Sequence, residues 1–344
     1  MPGTTVGGRD GAARLEGGAG AVSAAGAARL HGGRRAGRLR LCGRERPFHP
    51  WDESGQACFT WTWLGAAAVK TSRLTLGTGV TCPILRYHPA VIAQAAATLG
   101  CMAPGRAYLG VGTGEALNEY AATHEWPTYR ERQARLAEAI ALIRELWTGQ
   151  PVTFRGQYYR TRKARLYTRP DQPVPLYVSS MAPQSARFAG RHGDGLITVG
   201  GEEPEVYRHM LKEFEAGARE AGKDPASMPR LVELGVAYTD DDAGAVTARK
   251  QYWAGAHVPA LFTHKIYTPA MSAKNGKVVG GDTLKQKTCI SPDPDAHRRF
   301  AQQYVDLGFT HLFFHSAGPD QRAFLERYGR DVLPRLRSQQ RAAA

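Results

Sequence analysis

The stretch Leu109-Gly110-Val111-Gly112-Thr113-Gly114-Glu115-Ala116-Leu117-Asn118-Glu119 decides the fold. With Ala107-Tyr108 before it, it reads as a short apolar strand that runs into glycines and then meets a carboxylate. Glycine lets backbone approach a ligand closely, and in a parallel (β/α) barrel ligands bind at the C-terminal mouths of the strands. Glu115 and Asn118 lie about one helical turn apart, so both can face one pocket. The run is not a dinucleotide fingerprint, because a GxGxxG turn must enter a helix directly with an acid about 20 residues on.

The flanking sequence repeats the same grammar. Upstream, Arg73-Leu74-Thr75-Leu76-Gly77 reads as a strand, and Pro89 to Leu99 as a helix with proline in its first turn. Downstream, a helix from about Thr128 to Trp147 carries Leu136, Ile140, Ile143 and Trp147 on one face. Val152-Thr153-Phe154 and Gln157-Tyr158-Tyr159 flank Arg155-Gly156 as a surface hairpin. Strands at 176–179, 195–199, 231–238 and 311–315 alternate with helices at 184–190, 205–221, from about 242, and at 321–336. That alternation specifies parallel βαβ units and an α/β fold, and from the third strand position onward the count fits a (β/α)8 TIM barrel. An insertion at about 256–290 interrupts it. Its stretch from Pro259 to Lys287 is too long for a plain connection and reads as a lid or binding loop.

Residues 1–46 are of another kind. Gly, Ala and Arg supply 30 of the 46, and no Phe, Tyr or Trp appears before Phe48. Such a segment buries too little apolar surface to offset its ordering entropy, so disorder is expected there. Two origins fit this composition, a flexible basic tail and a GC-rich coding stretch read out of frame. The expected organisation is therefore 1–46 as that segment, 47–337 as the barrel domain, and 338–344 as a disordered tail.

The formal net charge is +14, and nine arginines against Asp10, Glu16 and Glu45 place much of it in the first 46 residues. The remainder is spread without a basic helix or aromatic–basic interleaving, so no nucleic-acid partner is expected. No apolar run approaches the roughly 18 residues of a membrane span, and no signal-peptide core is present. Cys42, Cys58, Cys82, Cys101 and Cys289 show no metal-like spacing and suit a reducing cytoplasm. His88, His192, His257, His264, His311 and His315 are scattered, and none is assigned as a base or metal ligand.

Two further strand ends stand out. Gly77-Thr78-Gly79-Val80-Thr81-Cys82-Pro83 permits either a plain turn or a bulge against which a flat ring could lie. Val178-Ser179-Ser180-Met181-Ala182-Pro183-Gln184-Ser185 leads small residues into a helix N-terminus, which fits either close packing or a phosphate held by backbone amides. His49-Pro50-Trp51 sets an aromatic beside an imidazole at the start of the regular region.

These motifs carry a resemblance. Gly77-Thr78-Gly79-Val80 with Arg86-Tyr87-His88-Pro89-Ala90-Val91-Ile92-Ala93-Gln94, the run from Leu109 to Glu119, Ala189-Gly190-Arg191-His192-Gly193-Asp194-Gly195, and Gly318-Pro319-Asp320-Gln321 resemble the luciferase-like superfamily. Within it the likeness is to the coenzyme F420-dependent glucose-6-phosphate dehydrogenase subfamily, from about Phe48 to Arg337. The resemblance implies a TIM barrel, a homodimer, and hydride transfer from a sugar-phosphate or alcohol carbon to the deazaflavin. It implies that Glu115 exchanges a proton with the deazaflavin ring and that Trp51 stands beside the transfer site. It implies cofactor contacts from Cys82, Thr113, Gly114 and Asn118, and a phosphate cradle from Met181, Ala182, Gln184 and Ser185. It also implies a non-proline cis peptide at Gly79-Val80 behind the ring. An FMN-dependent monooxygenase of the same superfamily, and an inactive remnant, stand as the alternatives.

The chain departs from the pattern twice. The family's first strand, first helix and second strand precede Trp51, and the second strand ends in Asp-His, the imidazole handling the substrate proton. Here those positions are Arg46 and Pro47. The first β-α-β unit is missing or replaced, and a poorly folded, inactive product is the expectation if the chain is made as written. At the sugar-phosphate pocket the aligned residues are Val199, Glu202, Lys274 and Lys287. Glu202 brings negative charge to a place suited to an anion, which disfavours glucose 6-phosphate.

Overall fold

The computed structural model describes residues 26–29, 41–43, 48–55, 57–253, 265–318 and 320–336. Among these residues nine strands form one sheet: β1 (Gly26–Arg29), β2 (Leu41–Gly43), β3 (Leu76–Thr78), β4 (Ala107–Val111), β5 (Leu176–Ser179), β6 (Gly195–Val199), β7 (Arg230–Tyr238), β8 (Cys289–Ser291) and β9 (His311–Ser316). The order is β1-β9-β7-β6-β5-β4-β3-β2, with β8 alongside the far end of β7. All pairs from β2 to β9 are parallel, while β1 runs antiparallel on β9. Parallel neighbours need crossovers, and the helices supply them.

Strand periodicity sorts the core into two layers. Leu109, Val178, Leu196, Val232 and Phe314 face outward into the main core beneath the helices. Their sequence neighbours Tyr108, Tyr177, Ile197, Leu231 and Phe313, one from each of five strands, pack together on the inner face. Because side chains alternate along a strand, the residues two or four steps further on face inward too. Gly112, Ser179, Val199, Glu233, Gly235 and His315 accordingly line a cavity above this apolar floor. The site therefore follows from the period of two.

The helices are α1 (Thr60–Lys70), α2 (Pro89–Met102), α3 (Glu119–Thr123), α4 (Tyr129–Trp147), α5 (Pro183–His192), α6 (Pro204–Glu220), α7 (Asp242–Trp253), α8 (Pro269–Gly276), α9 (Gly281–Lys287), α10 (Pro294–Asp306) and α11 (Gln321–Asp331). Helix α4 starts where Thr128 accepts from the Glu131 N–H at 3.3 Å. It buries Leu136, Ile140 and Ile143 as the spacing predicts, each worth roughly 1.5–3 kcal/mol. Trp147 Nε1 donates to the Ala93 carbonyl at 2.9 Å and ties α4 to α2. Among the described residues no helix is long and apolar enough to cross a membrane.

Several elements differ from expectation. Strands β1 and β2 lie inside the 1–46 segment, where composition pointed to disorder. They join the sheet through backbone pairing, which composition does not encode. The rest of that segment, and the 338–344 tail, lie outside the described residues. In the insertion, α8 and α9 lie within the stretch read as a lid or binding loop and β8 follows it after Lys287, whereas residues 254–264 lie outside the described set. The expected hairpin near Arg155-Gly156 is reduced to two antiparallel bridges, Val152↔Ala164 and Arg155↔Arg160. Its backbone is anchored instead by Glu138, which accepts from the N–H groups of Gln157, Tyr158 and Tyr159.

Candidate active site

A cavity of about 1070 Å³ opens at the C-terminal ends of the parallel strands. It is at the large end of ligand pockets, which span roughly 300–1,000 Å³. Beyond β3, the Gly79-Val80 peptide is cis, as the resemblance implies. Pairing resumes past it, with Thr81 N–H donating to the Gly110 carbonyl at 2.8 Å and Gly112 N–H to the Thr81 carbonyl at 2.9 Å. Gly79, Val80 and Cys82 thus form one wall beside the glycine-rich end of β4.

Past β4 the chain turns at once. Gly114 has φ +75°, and a Cβ there would come within 2.6 Å of Cys82 Sγ, so only glycine fits. The Glu115 carbonyl accepts from the Asn118 N–H at 3.1 Å and the Glu119 N–H at 3.0 Å. This turn brings Glu115 and Asn118 to the same cavity, with Thr113 and Gly114 beside them. Asn118 Oδ1 is buried without a hydrogen-bond partner in the structure, an acceptor aimed at whatever fills the space. Glu119 is held by Arg86, whose N–H donates at 3.0 Å and whose guanidinium lies 3.4 Å away. Burial pushes its carboxyl above the ordinary value, against the pull of Arg86.

The β5–α5 turn closes another side. Ser185 Oγ accepts from the N–H groups of Met181 at 3.3 Å and Ala182 at 3.2 Å. These two amides are therefore engaged with Ser185, and a phosphate would share them with its hydroxyl. Met181, Ala182 and Ser185 line the cavity, whereas Gln184 is exposed and not among its lining residues.

Beyond β6, Val199 and Glu202 face the cavity on a loop pinned by two phenols. Tyr207 OH donates to the Val199 carbonyl at 2.8 Å and accepts from the Glu202 N–H at 3.1 Å, and Tyr304 OH accepts from the Gly201 N–H at 2.9 Å. Burial pushes both phenols up, so they stay protonated. Lys287 reaches the same loop and pairs with Glu202 at 2.5 Å. Lys274 is exposed on α8 and is not among the lining residues. Of the four aligned sugar-phosphate positions, three meet and Lys274 does not join them.

Trp51 enters from the residues 48–55, which are tied to the insertion. His49 Nδ1 lies 3.0 Å from the Tyr267 carbonyl, and the Ala270 N–H donates to Glu53 Oε1 at 3.2 Å. The Trp51 ring sits 5.8 Å from that of Trp253, which in turn stands edge-on to His315 at 4.1 Å. His315 was set aside in the sequence as a scattered histidine. Its parity with Phe313 on β9 is the signal that could have placed it inside the barrel. Glu233 and Arg249 also escaped notice. Arg249 reaches the cavity from α7 because Gly235 leaves it room, and a Cβ at Gly235 would lie 2.7 Å from the guanidinium carbon. On the α4 side, Arg132 lies 3.7 Å over the Trp126 ring and donates to the Pro127 carbonyl at 2.8 Å.

A family profile described as luciferase-like monooxygenase matches residues 49–311. The F420-dependent glucose-6-phosphate dehydrogenase of Mycolicibacterium gilvum (strain PYR-GCK) is 42% identical over 294 residues, covering 84% of this chain and 87% of the relative. The protein of the same name from Beutenbergia cavernae is 44% identical over 294 residues, covering 85% and 87%. Among solved structures, an F420-dependent secondary alcohol dehydrogenase in complex with an F420-acetone adduct is 38% identical with a TM-score of 0.81, covering 85% of this chain and 88% of that one. Coenzyme F420-dependent tetrahydromethanopterin reductase from Methanopyrus kandleri, 21% identical with a TM-score of 0.65 and covering 82% and 88%, shares the fold.

Proposed function

Because the chain belongs to the luciferase-like monooxygenase family, we propose that it is a coenzyme F420-dependent dehydrogenase, an oxidoreductase moving hydride from a sugar-phosphate or alcohol carbon to the deazaflavin. The observation that carries this reading is convergence. Glu115 and Asn118 beyond β4, the Gly79-Val80 peptide beyond β3, the Met181 turn beyond β5 and Trp51 from residues 48–55 meet at one cavity. The residues fit the coenzyme on physical grounds as well. The cavity is large, the partnerless Asn118 Oδ1 awaits a donor, and the α5 N-terminus suits a phosphate.

When bound, coenzyme F420 supplies a two-electron hydride acceptor. Gly79, Val80, Cys82, Thr113, Gly114 and Asn118 would hold its ring. Met181, Ala182 and Ser185 would hold its phosphate side chain, with Gln184 at the outer edge. Glu115 would hold the ring proton on its carboxylate, and Trp51 would screen the transfer site from water. Val199, Glu202 and Lys287 would face the substrate, with Lys274 outside the wall. The Glu202–Lys287 pair leaves that subsite without net charge, which favours an uncharged alcohol over a sugar phosphate. The reading describes a cytoplasmic homodimer that acts on small molecules.

Binding of F420 and of FMN, followed by coenzyme reduction with a panel of alcohols and sugar phosphates, tests the reading. Tight F420 binding with alcohol-dependent reduction supports it. Tight FMN binding with oxygen-dependent turnover favours a monooxygenase, and a folded protein inert to both is the inactive remnant.

A further inference from the structure

The phosphate side chain of the proposed coenzyme meets a turn whose donors are already in use. The N–H groups of Met181 and Ala182 both donate to Ser185 Oγ, and that hydroxyl lies 2.8 Å from the Ala182 carbonyl and from Ser180 Oγ. An anion at this turn gains most from a donor outside that internal network. Tyr129 offers one. It is the first residue of α4, it lines the cavity, and its phenol reaches the Ser185 side chain on α5.

We propose that Tyr129 is a coenzyme-binding residue whose O–H donates to an oxygen of the F420 phosphodiester, an inference that rests on the dehydrogenase reading. Tyr129 is 43% exposed, so a ligand entering the cavity can reach it. Burial of the remainder pushes the phenol above its ordinary value, so it keeps the proton it donates. Positive charge stands beside it. The Arg132 guanidinium lies 5.9 Å from the Tyr129 ring, fixed by the Trp126 face and the Pro127 carbonyl. Arg132 is buried, and a cation with little water around it acts on an anion with little screening. Phenol and guanidinium thus supply a directed hydrogen bond and a field of matching sign.

The neighbours also decide which part of the ligand is met. Tyr129 and Ser185 flank the turn beyond β5, where the phosphate side chain is proposed to lie. Val199 and Glu202, proposed to face the substrate, follow β6. Tyr129 therefore reads what the deazaflavin ring carries, and neither the ring nor the alcohol.

The deazaflavin FO, which has the same ring and ribityl chain but no phosphodiester, isolates this contact. Fluorescence titrations compare wild type and Tyr129→Phe for F420 and for FO. The variant should bind F420 roughly tenfold more weakly, as loss of a hydrogen bond to a charged group implies, and FO within about twofold of wild type. Equal losses for both ligands, or a loss for neither, overturn the assignment. Wild type that binds F420 no more tightly than FO overturns it too, while leaving the dehydrogenase reading intact. Wild type that binds neither overturns that reading, and this proposal with it. A second measurement needs no variant. Tetranitromethane nitrates accessible tyrosines, and peptide mass spectrometry locates the nitro group. F420 should protect Tyr129 of the wild type and FO should not, while Tyr167, 86% exposed, reacts alike in both samples. Equal nitration of Tyr129 with F420 and with FO overturns the proposal.

Discussion

Lys287 Nζ lies 2.5 Å from Glu202 Oε1, so the cation at the cavity wall faces a carboxylate of its own chain. Glu202 follows the end of β6 and Lys287 ends α9, 85 positions apart. Glu202 is about half exposed, so the pair adds little to stability, within ~0–1 kcal/mol. Its consequence is for selection of substrate. Glu202→Gln should leave the melting temperature nearly unchanged while raising kcat/KM for glucose 6-phosphate relative to 2-propanol by roughly tenfold, about 1.4 kcal/mol. Equal ratios in variant and wild type would show that Lys287 does not meet the substrate.

Gly235 and Arg249 make a second dependent pair. A Cβ at position 235 would meet the guanidinium, with Cζ 2.7 Å away, and Arg249 is buried. Gly235→Ala must therefore push the guanidinium aside or strain the strand, at a cost of about 1–3 kcal/mol. Urea unfolding should show the loss. Gly235→Ala with Arg249→Ala should recover part of it, because the collision is removed.

What was legible in the sequence follows from locality. The short apolar runs of β5, β6, β7 and β9 and the 3.6-residue spacing of Leu136, Ile140 and Ile143 are local patterns, and the strands and α4 formed where they predict. Helix α1 escaped because it offers no signal at its start, with no side-chain cap and no acid in its first turn. The motifs at Gly79, Glu115 and Met181 were legible as strand ends. Their meeting in one cavity depends on the barrel. Gln184 and Lys274 came from aligned position alone, which carries no side-chain direction, and both stand off the cavity wall. Arg249 was illegible for a different reason. Its entry depends on a missing Cβ on another element, and no pattern within α7 records that.

The buried Glu119 gives the protein a pH dependence of definite sign. Its folded pKa is raised above the ordinary 4.5, chiefly by burial, so the folded state holds this proton more tightly than the unfolded chain. Its contribution to stability is complete below pH 4.5 and is lost as pH rises through the folded pKa. Glu119→Gln keeps an acceptor for the Arg86 N–H and removes the titration. Unfolding free energies from pH 4 to 8 should fall more steeply for wild type than for the variant. Parallel curves would show that Glu119 titrates alike in both states.

Glu115 and Asn118 share one turn and one cavity, yet their proposed duties differ, and kinetics can separate them. Glu115 would manage a proton, a duty that matters only as the reaction proceeds. Asn118 would satisfy a donor on the bound ring, which matters in the ground state as well. Glu115→Gln preserves size and hydrogen bonding, so F420 affinity should stay within about threefold while kcat falls roughly 10²–10⁴-fold. Asn118→Ala should do the reverse, weakening F420 binding about tenfold, or ~1.4 kcal/mol, with a smaller loss in kcat. Fluorescence titration of F420 and single-turnover reduction provide the two axes. If both variants lost affinity alone, Glu115 would be a binding residue, and the ring proton would have to come from another group.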